Sequence, residues 1–270
     1  MDWTGGGAGL EPRSHGDVYH VLASQGYAAL AWDPEGMGAR ILRDATPQRF
    51  YRRYPNSSRF ARQMQEIDSA LAWVRCSSAA GVNDTDPRDS CGSLRSRGIR
   101  SEYGWTGSVP PLKRDVVLAG YSVGGLQALI AAALDTNQQI AAVASFSGWT
   151  PLRTDTQDRP TGGLARYSHL HGLLPRLGLF VGGNEHKVPF EVDELLAAVA
   201  PRHTLLVTPQ HDADSTYTDV ARAIDKVAGS WPQGKLVRIA DAEGMSSFSE
   251  FGRVQIDALV AWVGNVSNGQ

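Results

Sequence analysis

At 270 residues the chain has room for one large domain or two small ones, and α/β folds commonly reach this length as a single unit. Its 42% hydrophobic and 20% charged residues are those of an ordinary soluble globular protein, and no stretch approaches the roughly 18 apolar residues that a membrane span needs. A formal charge of -2, with no Lys/Arg block interleaved with aromatics, argues against nucleic acid as a partner and for a small-molecule substrate.

Met1-Asp2-Trp3 runs straight into Gly5-Gly6-Gly7 without a basic start and an apolar run, so no secretory signal is expected and the cytoplasm is the default compartment. A polar helical stretch then closes at Gly26, and Tyr27-Ala-Ala-Leu-Ala-Trp32 reads as a short buried strand after it. Phe60, Met64, Ile67, Leu71 and Val74 recur at helical spacing, which predicts a helix with one face against a sheet. Residues 76–112 break the rhythm, because their Ser, Gly, Asp, Arg and Pro suit a solvated polar loop. Cys76 and Cys91 within it would pair in an oxidising compartment and stay as thiols in a reducing one.

Residues 115–119 form the next predicted strand, and 123–134 are so uniformly apolar that a helix there must be nearly surrounded by protein. This unit is expected at the centre of the fold. Residues 141–146, 204–208 and 236–240 are further apolar runs of strand length. Helical stripes follow at Val220, Ala223, Ile224 and Val227, ending at Gly229, and at Ile256, Leu259, Val260 and Val263. Fully apolar strands alternating with helices imply an α/β fold, a mainly parallel sheet covered on both faces within one domain over 1–270. Residues 148–189, with many Gly, Pro and His between two strands, are expected to form a lid-like insertion.

Gly120-Tyr121-Ser122-Val123-Gly124-Gly125 follows a predicted strand and opens an apolar helix, the setting required of the nucleophile elbow Gly-x-Ser-x-Gly. So tight a turn leaves no room for side chains two before and two after the serine, and it thrusts the hydroxyl out at a helix N-terminus. There the Val123 N–H would hold a developing oxyanion. The rival readings are a glycine-rich packing turn and a phosphate cradle, but the spacing fits neither Gly-x-Gly-x-x-Gly nor the P-loop.

A serine needs a base to take its proton and a carboxylate to orient that base. Asp212 lies just past the 204–208 strand, where such a fold places its acid, with Asp214 as competitor. Either aspartate would otherwise cap the helix that begins near Ser215. No histidine follows His211, so the loop after the last strand, 241–247, holds none. The base must come from His211 or from His169, His171 and His186 in the long segment, and His171 is the first choice because that segment should overhang the strand ends. Gly6, in the loop Gly5-Gly6-Gly7-Ala8-Gly9, is the candidate for the second half of an oxyanion hole, although so few residues precede it that the first strands of such a fold are expected to be missing.

Several stretches beyond the elbow point to a family: Trp32-Asp-Pro-Glu-Gly-Met-Gly-Ala-Arg40, Phe50-Tyr-Arg-Arg-Tyr-Pro55, Ala132-Ala-Leu-Asp135, Thr161-Gly-Gly163 with His171-Gly-Leu-Leu-Pro175, and Ala200-Pro-Arg202. On these residues the chain resembles the bacterial dienelactone-hydrolase and acetyl-xylan-esterase-like group of α/β-hydrolases, from about His20 to about Asp225. The resemblance implies hydrolysis of a carbohydrate ester or another small carboxylic ester through an acyl-serine, with neither metal nor organic cofactor. Two alternatives accompany it: a catalytically impaired ligand-binding protein on the same fold, and an acyltransferase that uses the same acyl-serine.

Overall fold

The computed structural model describes residues 15–36, 47–78, 115–156, 163–168, 172–212, 216–241 and 253–268. Gly6, Cys91, His169, His171, Asp214, the loop 242–247 and residues 79–112 lie outside the described residues. Four runs of small and branched apolar residues form β1 (Val116–Tyr121), β2 (Ile140–Phe146), β3 (His203–Pro209) and β4 (Leu236–Asp241). They pair in the order β1-β2-β3-β4, every pair parallel. Parallel neighbours cannot be joined by a hairpin, so each connection crosses a face of the sheet, and helices make the crossings.

The helices are α1 (His15–Ser24), α2 (Pro47–Arg53), α3 (Arg59–Ser78), α4 (Val123–Leu134), α5 (Gly163–Ser168), α6 (Val192–Val199), α7 (Tyr217–Val227) and α8 (Arg253–Ser267). None of them among the described residues is long and apolar enough to cross a membrane. Strand alternation splits the core in two. Leu118, Val143 and Leu206 pack with Phe60, Ile67, Leu126, Leu129, Leu196 and Val220 from α3, α4, α6 and α7. On the other face Val117, Ala144, Leu205 and Val207 meet Val18 of α1 and Ile256, Leu259, Val260 and Val263 of α8. Helix α4 has apolar residues all round because protein covers nearly all of it: Leu129 and Ala132 are fully buried, as is the polar Gln127 at 1% exposure.

Two expectations need correction. Residues 27–32 form no strand, and Leu30 is 47% exposed, because no strand among the described residues lies beside them to take up their backbone groups. The chain does leave α1 as expected, through Gly26 at φ 86°, with Tyr27 N–H donating to Leu22 O at 3.1 Å. Second, β1 is an edge strand among the described residues rather than the centre, and it is mostly half-buried where β2 is almost wholly buried.

Helices α2, α5 and α6 carry too few residues for a periodic pattern to show, and tertiary contacts make them. Phe50 of α2 is fully buried with its ring edge-on to Tyr51, whose hydroxyl donates to Gly172 O at 2.7 Å. Glu35, Gln63 and Gln127 form a buried chain: Gln127 Nε2 donates to Gln63 Oε1 at 2.5 Å, and Gln63 Nε2 donates to Glu35 O at 3.0 Å. Arg202 Nη2 donates to Asp135 O at 2.7 Å and its Nε donates to Ile140 O at 3.2 Å, which ties the start of β3 to the start of β2.

Glu191 caps α6 and holds the loop that leaves β2. Its carboxylate accepts from Val192 N at 2.7 Å, Leu152 N at 2.8 Å and Arg153 N at 2.7 Å, while Glu194 completes a capping box. Truncation would leave these N–H groups and the Glu194 N–H of the capping box without their carboxylate, the bonds from Val192 and Leu152 being buried. Glu191→Ala should therefore lower unfolding free energy by about 2–4 kcal/mol, read from the midpoint of urea denaturation at unchanged slope.

Candidate active site

At the carboxyl end of β1 the chain passes from strand to helix through one residue. Ser122 takes φ 53° and ψ -125°, a region that non-glycine residues rarely occupy and that persists only where the surroundings enforce it. They do so with backbone bonds: Ser122 N–H donates to Phe146 O at 2.8 Å, and Ser122 O accepts from Gly125 N at 2.9 Å. Glycine is required around it. A Cβ on Gly120 would stand 2.1 Å from Gly124 O, and one on Gly125 would stand 2.6 Å from Ser145 Oγ. The crowding expected two residues before the serine is thus present, and the backbone of Gly124 is what fills the space.

The side chain of Ser122 makes no capping bond to the helix it opens. Half-buried Ser122 and buried Val123 sit at the N-terminus of α4, where the first N–H groups have no helical acceptor and the helix dipole is positive. A developing negative charge would be favoured there. Gly6 lies outside the described residues, so the second half of the oxyanion hole remains an expectation from sequence.

Asp212 follows the last residue of β3 by three positions, at the same end of the sheet as Ser122, and is 9% exposed. It is not the cap of α7, whose N-cap is Thr216. Tyr121, next to the serine, feels the acid side of the site: burial above all, then the charges of Asp212 and Asp241, push its phenol up to about 12. Asp241 ends β4, level with Pro209 of β3, and its Oδ2 accepts from Gln255 Nε2 of α8 at 2.5 Å.

The described histidines differ sharply in where they lie. His203 opens β3, four residues before Val207, which puts it about 13 Å from the level at which β1 ends. It is therefore at the wrong end of the sheet, and burial, then Lys235, hold its imidazole below the usual range. His20 is exposed on α1, and His186 is exposed in a short 3-10 helix. His211 is exposed beside Asp212, at the serine's end of the sheet.

His171 itself lies outside the described residues, and its neighbour Gly172 packs against α2. With φ 54°, Gly172 fits where a Cβ would come within 2.9 Å of Pro47, and its carbonyl accepts from Tyr51. From there a short series of contacts reaches the elbow. Leu174 N–H donates to Tyr167 O at 2.8 Å, Tyr167 Oη donates to Gly148 O at 2.7 Å, and Gly148 abuts Ser122 O.

Gly148 is a position packed against Ser122 that the linear pattern hides within a loop. A Cβ there would fall 2.8 Å from both Ser122 O and Leu126 N. The signal that could have revealed it is its place two residues past the buried strand β2, next to the strand that carries the serine. Gly148→Ala should force the elbow to shift, costing about 1–3 kcal/mol in urea denaturation and slowing the reaction of Ser122 with a fluorophosphonate probe.

The sequence matches no protein-family model and no curated protein. Solved structures do resemble it. A glucuronoyl esterase of carbohydrate esterase family 15 from Caldicellulosiruptor kristjansonii superposes with a TM-score of 0.51 at 15% identity, over 82% of this chain and 55% of that one. An α/β-hydrolase, GrgF, from a Penicillium species gives 0.51 at 16% identity, over 94% of this chain and 83% of that one. A glucuronoyl esterase of the same esterase family from Teredinibacter turnerae gives 0.52 at 15% identity, over 77% and 46%. The chain spans about half the length of the glucuronoyl esterases it resembles. A parallel sheet, helices on both faces and these likenesses together show that the chain has the α/β-hydrolase fold.

Proposed function

We propose that this chain is a single-domain serine hydrolase over 1–270 that cleaves a small carboxylic ester, such as a carbohydrate acetyl ester, through an acyl-serine intermediate. The observation that carries the reading is the backbone of Ser122, a non-glycine residue held at φ 53° between a strand and a helix N-terminus. Such strain persists where function uses it. The fold shared with known esterases supports the reading at the level of architecture, and the dienelactone-hydrolase and acetyl-xylan-esterase-like motifs support the substrate class.

In this mechanism Ser122 Oγ attacks the ester carbonyl while its proton passes to the base, His171. The tetrahedral oxyanion is held by the Val123 N–H and by Gly6 in the glycine loop. Collapse expels the alcohol, which takes the proton from the histidine and leaves an acyl-serine. Water, deprotonated by the same histidine, then releases the acid and restores the serine. Asp212 orients the imidazole and stabilises its charged form. Residues 148–189 act as the lid over the site.

A fluorophosphonate probe should label the wild-type protein and leave Ser122→Ala unlabelled, as read by mass spectrometry of the intact protein. Lack of labelling in the wild type would end the proposal.

With a chromogenic acetate ester, Asp212→Asn should lose about three orders of magnitude in kcat. His171→Ala should lose as much while His211→Ala retains most of its rate. The reverse pattern would move the base to His211. The histidine-free loop 241–247 favours a second reading, a protein that binds an ester-like ligand in the same pocket without turning it over. Turnover that depends on both Ser122 and one histidine excludes that reading.

A further inference from the structure

Among the described residues, three that are not glycine take positive φ: Ser122, Gln138 and Ser147. Gln138 lies in an exposed turn that leads into β2, whereas the two serines meet at the carboxyl end of the sheet. Ser147 follows β2 as Ser122 follows β1, and the two are built alike. Each donates its backbone N–H to a carbonyl of the next strand, Ser122 to Phe146 O at 2.8 Å and Ser147 to Val207 O at 3.0 Å. Phe146 is also the residue before Ser147, so one hydrogen bond and a few covalent bonds join the two serines, whose Cα atoms lie within about 8 Å of each other. On the other side of Ser147, Gly148 packs against Ser122 O.

From Ala142 to Leu152 every residue except Ser147 is buried. Ser147 is half-buried at φ 52°. Among the described residues its Oγ is engaged in no hydrogen bond, and it is not one of the buried polar atoms, so the hydroxyl reaches solvent.

We propose that Ser147 is a specificity-determining residue for the alcohol part of the ester: its hydroxyl bonds to a free hydroxyl of a carbohydrate leaving group held beside Ser122. This rests on the reading of Ser122 as nucleophile.

Three considerations support the assignment. A glycine would hold φ 52° without strain, so the serine retains strain that glycine would remove, and what it adds is a hydroxyl. That hydroxyl both donates and accepts, which matches a sugar hydroxyl in either direction. An acetyl group has one strong hydrogen-bonding atom, the carbonyl oxygen that the Val123 N–H would take, so the alcohol part is what a second polar side chain at this rim can read. An ester carbonyl and the sugar ring attached to it span the separation of the two serines.

The test measures kcat/KM for the wild type, Ser147→Ala and Ser147→Gly on two esters that share one acyl group. One is a mono-acetylated methyl xyloside, whose ring keeps free hydroxyls, and the other is para-nitrophenyl acetate, whose leaving group carries no further hydroxyl. Ser147→Ala should lower the ratio of the two constants, sugar ester over aryl ester, about fivefold, the loss of one neutral hydrogen bond. Ser147→Gly should show the same fall while melting no lower than the wild type, because glycine relieves the backbone. An unchanged ratio, whether from no loss or from equal losses on both esters, overturns the proposal. Failure of the fluorophosphonate probe to label the wild type sinks the serine reading together with this role, whereas labelling without turnover of the sugar ester sinks this role alone.

Discussion

The structure depends on a steric constraint at one turn. A buried strand must become a buried helix within a single residue, and the chain achieves this by forcing Ser122 to positive φ and stripping side chains from whatever touches it. Gly120 lies against the backbone of Gly124, Gly125 lies over Ser145, and Gly148 arrives from the neighbouring strand to lie against Ser122 O. The carbonyl of Phe146 completes the arrangement by accepting from Ser122 N–H. The strain is thus balanced by β2 as much as by the motif, which is why the elbow belongs to the sheet and not to a local segment.

Polar groups buried around α4 extend that constraint outward. Gln127 sits one turn into the elbow helix and is bonded to Gln63 of α3, which in turn holds Glu35. Glu35 N–H donates to Glu66 Oε2 at 3.2 Å, so both the N–H and the carbonyl of Glu35 are held by α3. Buried amides left without partners would cost more than apolar residues of the same size, so such a chain selects one arrangement of helix against helix. The Trp32 to Arg40 stretch, which carries much of the family resemblance, therefore begins as a packing feature that supports the elbow helix.

The carboxyl ends of the parallel strands bring Asp212 and Asp241 to the rim where Ser122 lies. Parallel pairing brings the ends of β1, β3 and β4 to one rim, so Tyr121 shares an electrostatic environment with Asp212 and Asp241, both more than ninety positions further along the chain. Placement of His203 at the opposite rim follows from the same geometry, because in parallel strands the amino ends lie together, away from the serine. The loop from β2 to α6 is held down by Glu191 and by the contacts that run from Gly172 through Tyr167 to Gly148. That attachment fixes the described residues that follow β2 beside Ser122.

The amino-acid sequence by itself determined the elements whose signal is local and continuous: the four strands of the sheet, the apolar helix α4, the stripes of α3, α7 and α8, and the glycine-flanked serine. Each of these is set by burial along one short run, so hydrophobic pattern and turn chemistry suffice to read it. Tertiary structure alone decided what depends on neighbours. It denied residues 27–32 a strand because no partner among the described residues lies beside them, and it put β1 at the edge of the described sheet. It folded α2, α5 and α6 from stretches too short to show a period, using contacts such as Phe50 and the Glu191 cap. It also brought Gly148 against Ser122 O, since the meaning of a glycine there lies in which strand runs alongside, and a linear pattern carries no information about that.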